Sequence, residues 1–229
     1  MSLPEGGRVA VYYTPPPQDP LFPLSTSWLG RDPERGAAVT QPDIPGLHEV
    51  TAEPRLYGFH ATLKPPMRLR PGVGWDALAS AAGDLAGGIA PFALPPMAVA
   101  DVHGFLALRE TEPSPSLQAL ADLCVAWLDE FRAAPTEAEL ARRRRAGLSP
   151  GQEAMLRRWG YPYVFGTWFF HMTLTRRLNA EEKTRYRPAA ELHFAPAQAA
   201  SRCVSDICLF TQSEPGHPFL LAARLPLRG

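Results

Sequence analysis

Apolar residues recur with two different periods along this chain, and the switches between them mark its elements. Alternation, or an unbroken β-branched and aromatic run, predicts strands; apolar residues at i, i+3 and i+4 predict helices. Residues 8–14 form such a run, stopped by Pro15, Pro16 and Pro17, and predict a first strand. A Pro/Gly-rich stretch follows to about residue 54, with one short predicted helix over 24–29. Residues 57–63 predict a strand limited by Pro65 and Pro66. Residues 75–86 have helical spacing, with Trp75, Leu78, Ala82 and Leu85 on one face, and two strands follow over 92–100 and 102–108, separated at Asp101.

A helix is predicted over 116–131 from Leu117, Leu120, Cys124, Trp127, Leu128 and Phe131. Thr136 and Glu139 have the spacing of a capping box that opens a second helix, ending near Gly147. Ser149 and Pro150 open a third, with Gly160 as its stop. The β pattern returns over 167–175, Asn179 and Glu182 cap another helix, and strands over 202–210 and 219–225 close the chain. Each half therefore runs strand, helix, strand, strand. That order predicts an α+β fold of two pseudo-symmetric lobes with antiparallel sheets flanked by helices. Lobe one covers about 8–110, a helical linker about 115–160 and lobe two about 161–229, with strands free to exchange between lobes.

The first strand of each half carries the same triplet. Phe59-His60-Ala61-Thr62-Leu63 and Phe170-His171-Met172-Thr173-Leu174 both read apolar, His, any, Thr, apolar. In a strand, residues i and i+2 project to one face, so each triplet offers an imidazole beside a hydroxyl. With 12 threonines in 229 residues, roughly one histidine in twenty would have Thr two places on by chance, so a matched pair is informative. Two imidazoles suit phosphodiester cleavage: one takes a proton from the attacking oxygen and the other gives one to the leaving oxygen. Thr62 and Thr173 would donate to the non-bridging oxygens, where charge accumulates.

Alternation extends this face to Lys64, a candidate phosphate-binding ammonium, and to Thr175 at the equivalent position of the second strand. Tyr57 and Tyr163 flank the strands and could line the rim. His48, His193 and His217 have no partner at a meaningful spacing, and His103 reads as structural. The Arg142 to Arg145 run reads as a solvated helix face.

Composition removes several classes. Acidic and basic residues balance at 23 each, so formal net charge is zero and nothing global favours nucleic acid or an anionic membrane. No apolar run approaches the roughly 20 residues of a membrane span, and residues 1–8 lack a leader pattern. Cys124, Cys203 and Cys208 are widely spaced in apolar segments, which predicts buried reduced thiols in a cytoplasmic protein. No carboxylate cluster offers a metal site, and no cofactor is expected. The 26 prolines, and lysine at only two of 23 basic positions, suggest GC-rich bacterial coding.

The paired triplets resemble those of the two-histidine (2H) phosphoesterase superfamily. Tyr57 to Pro66, Trp159 to Val164 and Phe170 to Thr175, with Val9 to Pro17 and Trp28-Leu29-Gly30-Arg31-Asp32, are similar to a bacterial phosphonate-metabolism-associated branch of it. The resemblance spans most of the chain. It implies a bilobal fold with the triplets in a central groove, acting without metal on a small cyclic phosphodiester, commonly a 2′,3′-cyclic ribose phosphate. By matching position, His60 and His171 would be the acid/base pair, and Thr62 and Thr173 the phosphate binders. A non-catalytic nucleotide or phosphometabolite binding module, and an RNA ligase or RNA-end processing enzyme, stay open as alternatives.

Overall fold

The computed structural model describes residues 6–145, 147–198 and 200–229; residues 1–5, within the segment read above for a leader, lie outside them. Its first part comprises β1 (Arg8–Tyr13), α1 (Leu21–Leu29), α2 (Leu47–Val50), α3 (Ala52–Tyr57), β2 (Ala61–Met67), α4 (Trp75–Gly87), β3 (Phe92–Leu94), β4 (Met97–Val102) and β5 (Phe105–Glu110). Then come α5 (Pro115–Trp127), α6 (Glu137–Arg144) and α7 (Pro150–Trp159). The last part holds β6 (Met172–Arg177), α8 (Ala180–Gln198), β7 (Arg202–Val204), β8 (Asp206–Gln212) and β9 (Leu220–Pro226). The fold is α+β with antiparallel sheets.

One sheet has the order β2-β1-β8-β9 and another the order β4-β5-β6, while β3 and β7 form a separate pair. Both of the larger sheets draw strands from both halves of the sequence. The β4–β5 hairpin of the first half pairs with the His171 strand, and the β8–β9 hairpin of the second half pairs with β1, beside the His60 strand. Alternation tells which face of a strand is buried but not which strand it sits beside, so the sequence leaves this exchange open.

After Arg8, β1 is apolar because it is buried on both faces, as central strands are. Val9, Val11 and Tyr13 enter the main core, which continues under both sheets through Leu63, Leu209, Leu108 and Leu174. Ala10 and Tyr12 face a second cluster with Cys208, Phe210 and Phe219. Each fully buried aliphatic side chain contributes roughly 1.5–3 kcal/mol. α5 covers β2, α4 covers β8 and β9, and α3 lies against β6.

Both helix starts marked by capping boxes hold, at Thr136 with Glu139 and at Ser149 with Gln152. Gly160 ends α7 with φ 73°, a left-handed conformation that costs glycine little. Several local expectations change. The runs over 92–100 and 202–210 each break into two strands, and Cys203, on the short strand β7, is exposed rather than buried. Tyr57 ends a helix rather than opening a strand. β2 starts at Ala61 and runs on through Pro65 and Pro66 to Met67. It can do so because β2 is an edge strand, where missing N–H donors are tolerated.

Candidate functional site: two histidines with matched carbonyl partners

His60 stands one residue before β2, and its imidazole is held from three sides. Nδ1 lies 2.8 Å from the Gly58 carbonyl. A carbonyl only accepts, so Nδ1 carries the proton and Nε2 presents its lone pair. The Thr62 hydroxyl is 3.2 Å from that Nε2 and donates to it. Tyr12, the cross-strand partner of Thr62, stacks on the imidazole with ring centroids 3.8 Å apart. Burial pushes the His60 pKa down to about 4; the Gly58 carbonyl partly opposes this, and His171 adds to it.

His171 repeats the arrangement one residue before β6. Its Nδ1 lies 3.2 Å from the carbonyl of Phe169, again two residues back, which sets the same tautomer. Phe169 stacks on it at 4.7 Å. Burial lowers the His171 pKa, the Phe169 carbonyl opposes the shift, and the charges of Arg109 and His103 add to it. Thr173 follows in β6 opposite Ala107 of β5.

Two indoles fix the triplet strands. Trp168, just ahead of His171, donates its Nε1–H to the Thr62 carbonyl at 2.8 Å and so ties one triplet to the other. Trp28 of α1, fully buried, donates to the Leu174 carbonyl at 3.1 Å. His60, Thr62, His171 and Thr173 are each partly buried, which sets them in a recess rather than on an open surface. Among the described residues, no group of three or more His, Cys, Asp or Glu is placed to hold a metal ion.

Lys64 and Thr175 do not join this face. On β2, Thr62 pairs with Tyr12 but Lys64 pairs with Val11, so one extra residue is inserted directly after the triplet. Such a bulge reverses the facing of the residues beyond it. Lys64 therefore points into the main core, 2% exposed, and donates to the Val125 carbonyl at 3.0 Å beside Asp129 at 3.4 Å. It is a cation at the C-terminal end of α5, where the helix dipole favours one. β6 is also irregular after its triplet: Thr173 pairs with Ala107, but Arg177 with Phe105. Buried Thr175 accepts the Leu106 N–H at 3.0 Å, standing in for a lost ladder bond. In both strands, alternation stops being a guide to facing once the threonine is passed.

The rim residues divide. Tyr57 stacks on Phe219 and lies 6.1 Å from the His60 ring, at the edge of the recess. Tyr163 meets Tyr161 edge-on at 5.6 Å, one ring further out. Three neighbours of the histidines were missed by sequence reasoning: Tyr12, Phe169 and Arg109. Continuing the register of Ala107 with Thr173 and Leu108 with Met172 puts Arg109 opposite His171. Its guanidinium lies over Phe169 at 5.5 Å, and its Nε is buried without a hydrogen-bond partner among the described residues. The signal was present as a polar residue in phase with Phe105 and Ala107.

The other histidines sit elsewhere. His193 bonds the Leu24 carbonyl, His48 lies against Gln41 and Arg55, and His217 lies beside Ser213 and Glu214. His103, in the β4–β5 turn with φ 50°, lies edge-on to Phe169 and so borders the His171 side.

The α+β frame thus carries two histidines of matched tautomer, each with a threonine two residues on. The family model described as "Protein of unknown function (DUF1045)" matches residues 62–220, and the chain belongs to that family. It is 42% identical over 231 residues to a protein of Janthinobacterium sp. (strain Marseille) named ribose 1,5-bisphosphate phosphokinase PhnN, covering 97% of this chain and 51% of that one. A protein of the same name from Laribacter hongkongensis (strain HLHK9) is 35% identical over 217 residues, covering 93% and 50%. The chain thus spans about half the length of these curated relatives. It also aligns along its whole length with the crystal structure of E. coli LigT complexed with 3′-AMP, at 13% identity and a TM-score of 0.48.

Proposed function

We propose that the chain is a metal-independent phosphoesterase that hydrolyses a small cyclic phosphodiester by two-histidine acid/base catalysis. The observation that carries this reading is the matched tautomer. Both Nδ1 atoms are committed to carbonyls two residues back, so both Nε2 atoms are the reactive ones; the Thr62 hydroxyl that bonds the His60 Nε2 turns to a phosphate oxygen when substrate binds. A pair with that set can take a proton at one Nε2 and deliver one from the other in a single turnover.

In this mechanism His60 is the base, because its Nε2 lone pair already accepts from a hydroxyl, that of Thr62. Its Nε2 takes a proton from the attacking water as the new P–O bond forms. His171, protonated when the anionic substrate binds, gives the Nε2 proton to the leaving ring oxygen as the other P–O bond breaks. The hydroxyls of Thr62 and Thr173 and the guanidinium of Arg109 donate to the non-bridging oxygens, which carry more charge in the transition state. One proton enters His60 and one leaves His171, so the pair must exchange them through product or water before the next turnover.

Substrates of this class include 2′,3′-cyclic nucleotides and ribose cyclic phosphates. The longer relatives are named for a kinase of a phosphorylated ribose, which favours a ribose phosphate and a role near phosphonate metabolism. Turnover of 2′,3′-cyclic nucleotides and ribose 1,2-cyclic phosphate in EDTA tests the proposal. Hydrolysis that survives chelation supports it; activity recovered only on adding a divalent metal, or none across the panel, contradicts it.

A further inference from the structure

Beside the His60 face lies a small cavity whose lining includes five arginines, Arg8, Arg68, Arg132, Arg142 and Arg143, and one carboxylate, Glu139. Two of the five charges are already matched. Arg68 pairs with Glu139 at 3.1 Å, and Arg132 pairs with Asp129 at 2.7 Å. Among the described residues no carboxylate is in ion-pair range of Arg8, Arg142 or Arg143. Arg8 is bonded to the amide oxygen of Gln212, and Arg143 lies over the Tyr161 ring at 4.6 Å. The α6 arginines stand close enough to Arg8 for their charges to oppose its own. Three converging guanidiniums repel one another unless an anion joins them. Gly160 keeps the wall open, since a Cβ there would come 3.0 Å from the Arg132 guanidinium.

The cavity adjoins the histidines through one strand. Arg8 and Tyr12 share a face of β1, four residues and about 13 Å apart between Cα atoms. The Tyr12 ring packs on His60, and its phenol feels the charges of Arg8 and Arg143. One ring bridges that gap: the Arg8 guanidinium lies 5.6 Å from the Phe219 ring, which lies 6.1 Å from the Tyr12 ring. The opening is about 40 Å³, sized for a phosphate rather than a base.

We propose that Arg8, Arg142 and Arg143 form a second phosphate site, so that the substrate carries a free phosphomonoester in addition to the cyclic diester held by the histidines. The proposal rests on the phosphoesterase reading for its substrate, while the anion site itself stands on the arginine geometry. Guanidinium suits a phosphomonoester because its paired N–H groups match two phosphate oxygens. α6 contributes no buried residue to the core, so its arginines can be replaced without disturbing the fold.

The test compares adenosine 2′,3′-cyclic phosphate with the same compound bearing a 5′-phosphate, in the wild type and in Arg142→Ala/Arg143→Ala. The wild type is expected to prefer the 5′-phosphorylated compound at least tenfold in kcat/KM, and the variant to lose that preference. A wild-type ratio near one, or a ratio unchanged in the variant, overturns the proposal. Calorimetric titration with inorganic phosphate separates this from failure of the enzymatic reading. His60→Ala/His171→Ala should still bind phosphate at the arginines, and adding Arg142→Ala/Arg143→Ala should abolish that binding whether or not either nucleotide is turned over. Identical phosphate binding with and without the arginines overturns the site.

Discussion

The Tyr12 ring lies 3.8 Å from the His60 ring, with 24° between their planes, so the buried face of the imidazole is sealed by an aromatic from the neighbouring strand. Burial is the largest cause of the depressed His60 pKa, and Tyr12 is a large part of that burial. Replacing Tyr12 with Leu admits solvent, and the His60 midpoint should rise from about 4 toward 6.5. An NMR titration of the His60 ring reads this directly; an unchanged midpoint would show that the stack does not control it.

The same shift makes stability depend on pH. The folded His60 pKa is about 4 against 6.5 when free. Between those values the unfolded chain binds more protons, so stability rises with pH across that window and levels off above it. His171 is shifted in the same direction and adds to the slope. At about 1.4 kcal/mol per pH unit, the His60 share is on the order of 3 kcal/mol. Urea unfolding between pH 4 and 7 should show this slope, and His60→Gln should remove most of it.

Two pairs of residues that alternation alone makes equivalent should behave differently. Thr62→Ala and Thr173→Ala remove hydroxyls beside the imidazoles and should each lower kcat about a hundredfold with little change in Tm. Lys64→Met strips the cation from the end of α5 and should cost about 1–3 kcal/mol, since it leaves the Val125 carbonyl unpaired while Asp129 keeps Arg132 at 2.7 Å. Thr175→Val leaves the Leu106 N–H unpaired and should cost about 1–3 kcal/mol. In both, the folded fraction should keep its KM. A raised KM in Lys64→Met, with the fold intact, would return Lys64 to the substrate.

Trp168 bridges the triplets through one hydrogen bond to the Thr62 carbonyl. Trp168→Phe keeps most of the packing and removes the bond, for a stability loss of about 1 kcal/mol. Because the bond holds one triplet against the other, kcat should fall about tenfold while KM changes little. Parallel thermal melts and steady-state kinetics check both halves of this expectation.

The triplet strand of each half and the helix that follows it were legible in the chain, because short-range periodicity and a repeated motif carry them; the strands after each helix number three rather than two, since the runs over 92–100 and 202–210 each break into two. The pairing of β4–β5 with the His171 strand and of β8–β9 with β1 was not legible, because alternation is silent about partners. Lys64 and Thr175 were misplaced for one reason. Each strand inserts extra residues directly after its threonine, and apolar Leu63 and Leu174 hide the insertion by fitting either register. Arg142 and Arg143 looked like a solvated face because their significance depends on Arg8, more than a hundred residues away. Tyr12 reads as one more apolar residue in a central strand until β2 is set beside it.

The most direct test of two-histidine catalysis compares His60→Ala and His171→Ala on a cyclic phosphodiester and on a nitrophenyl phosphodiester, whose leaving group needs no proton. Both variants should lose about a hundredfold or more on the cyclic substrate. On the nitrophenyl ester, His171→Ala should recover most of its rate while His60→Ala should not, because only the acid becomes dispensable. Full activity of either variant on the cyclic substrate would contradict the paired-histidine mechanism, and recovery by His60→Ala instead would exchange the two roles.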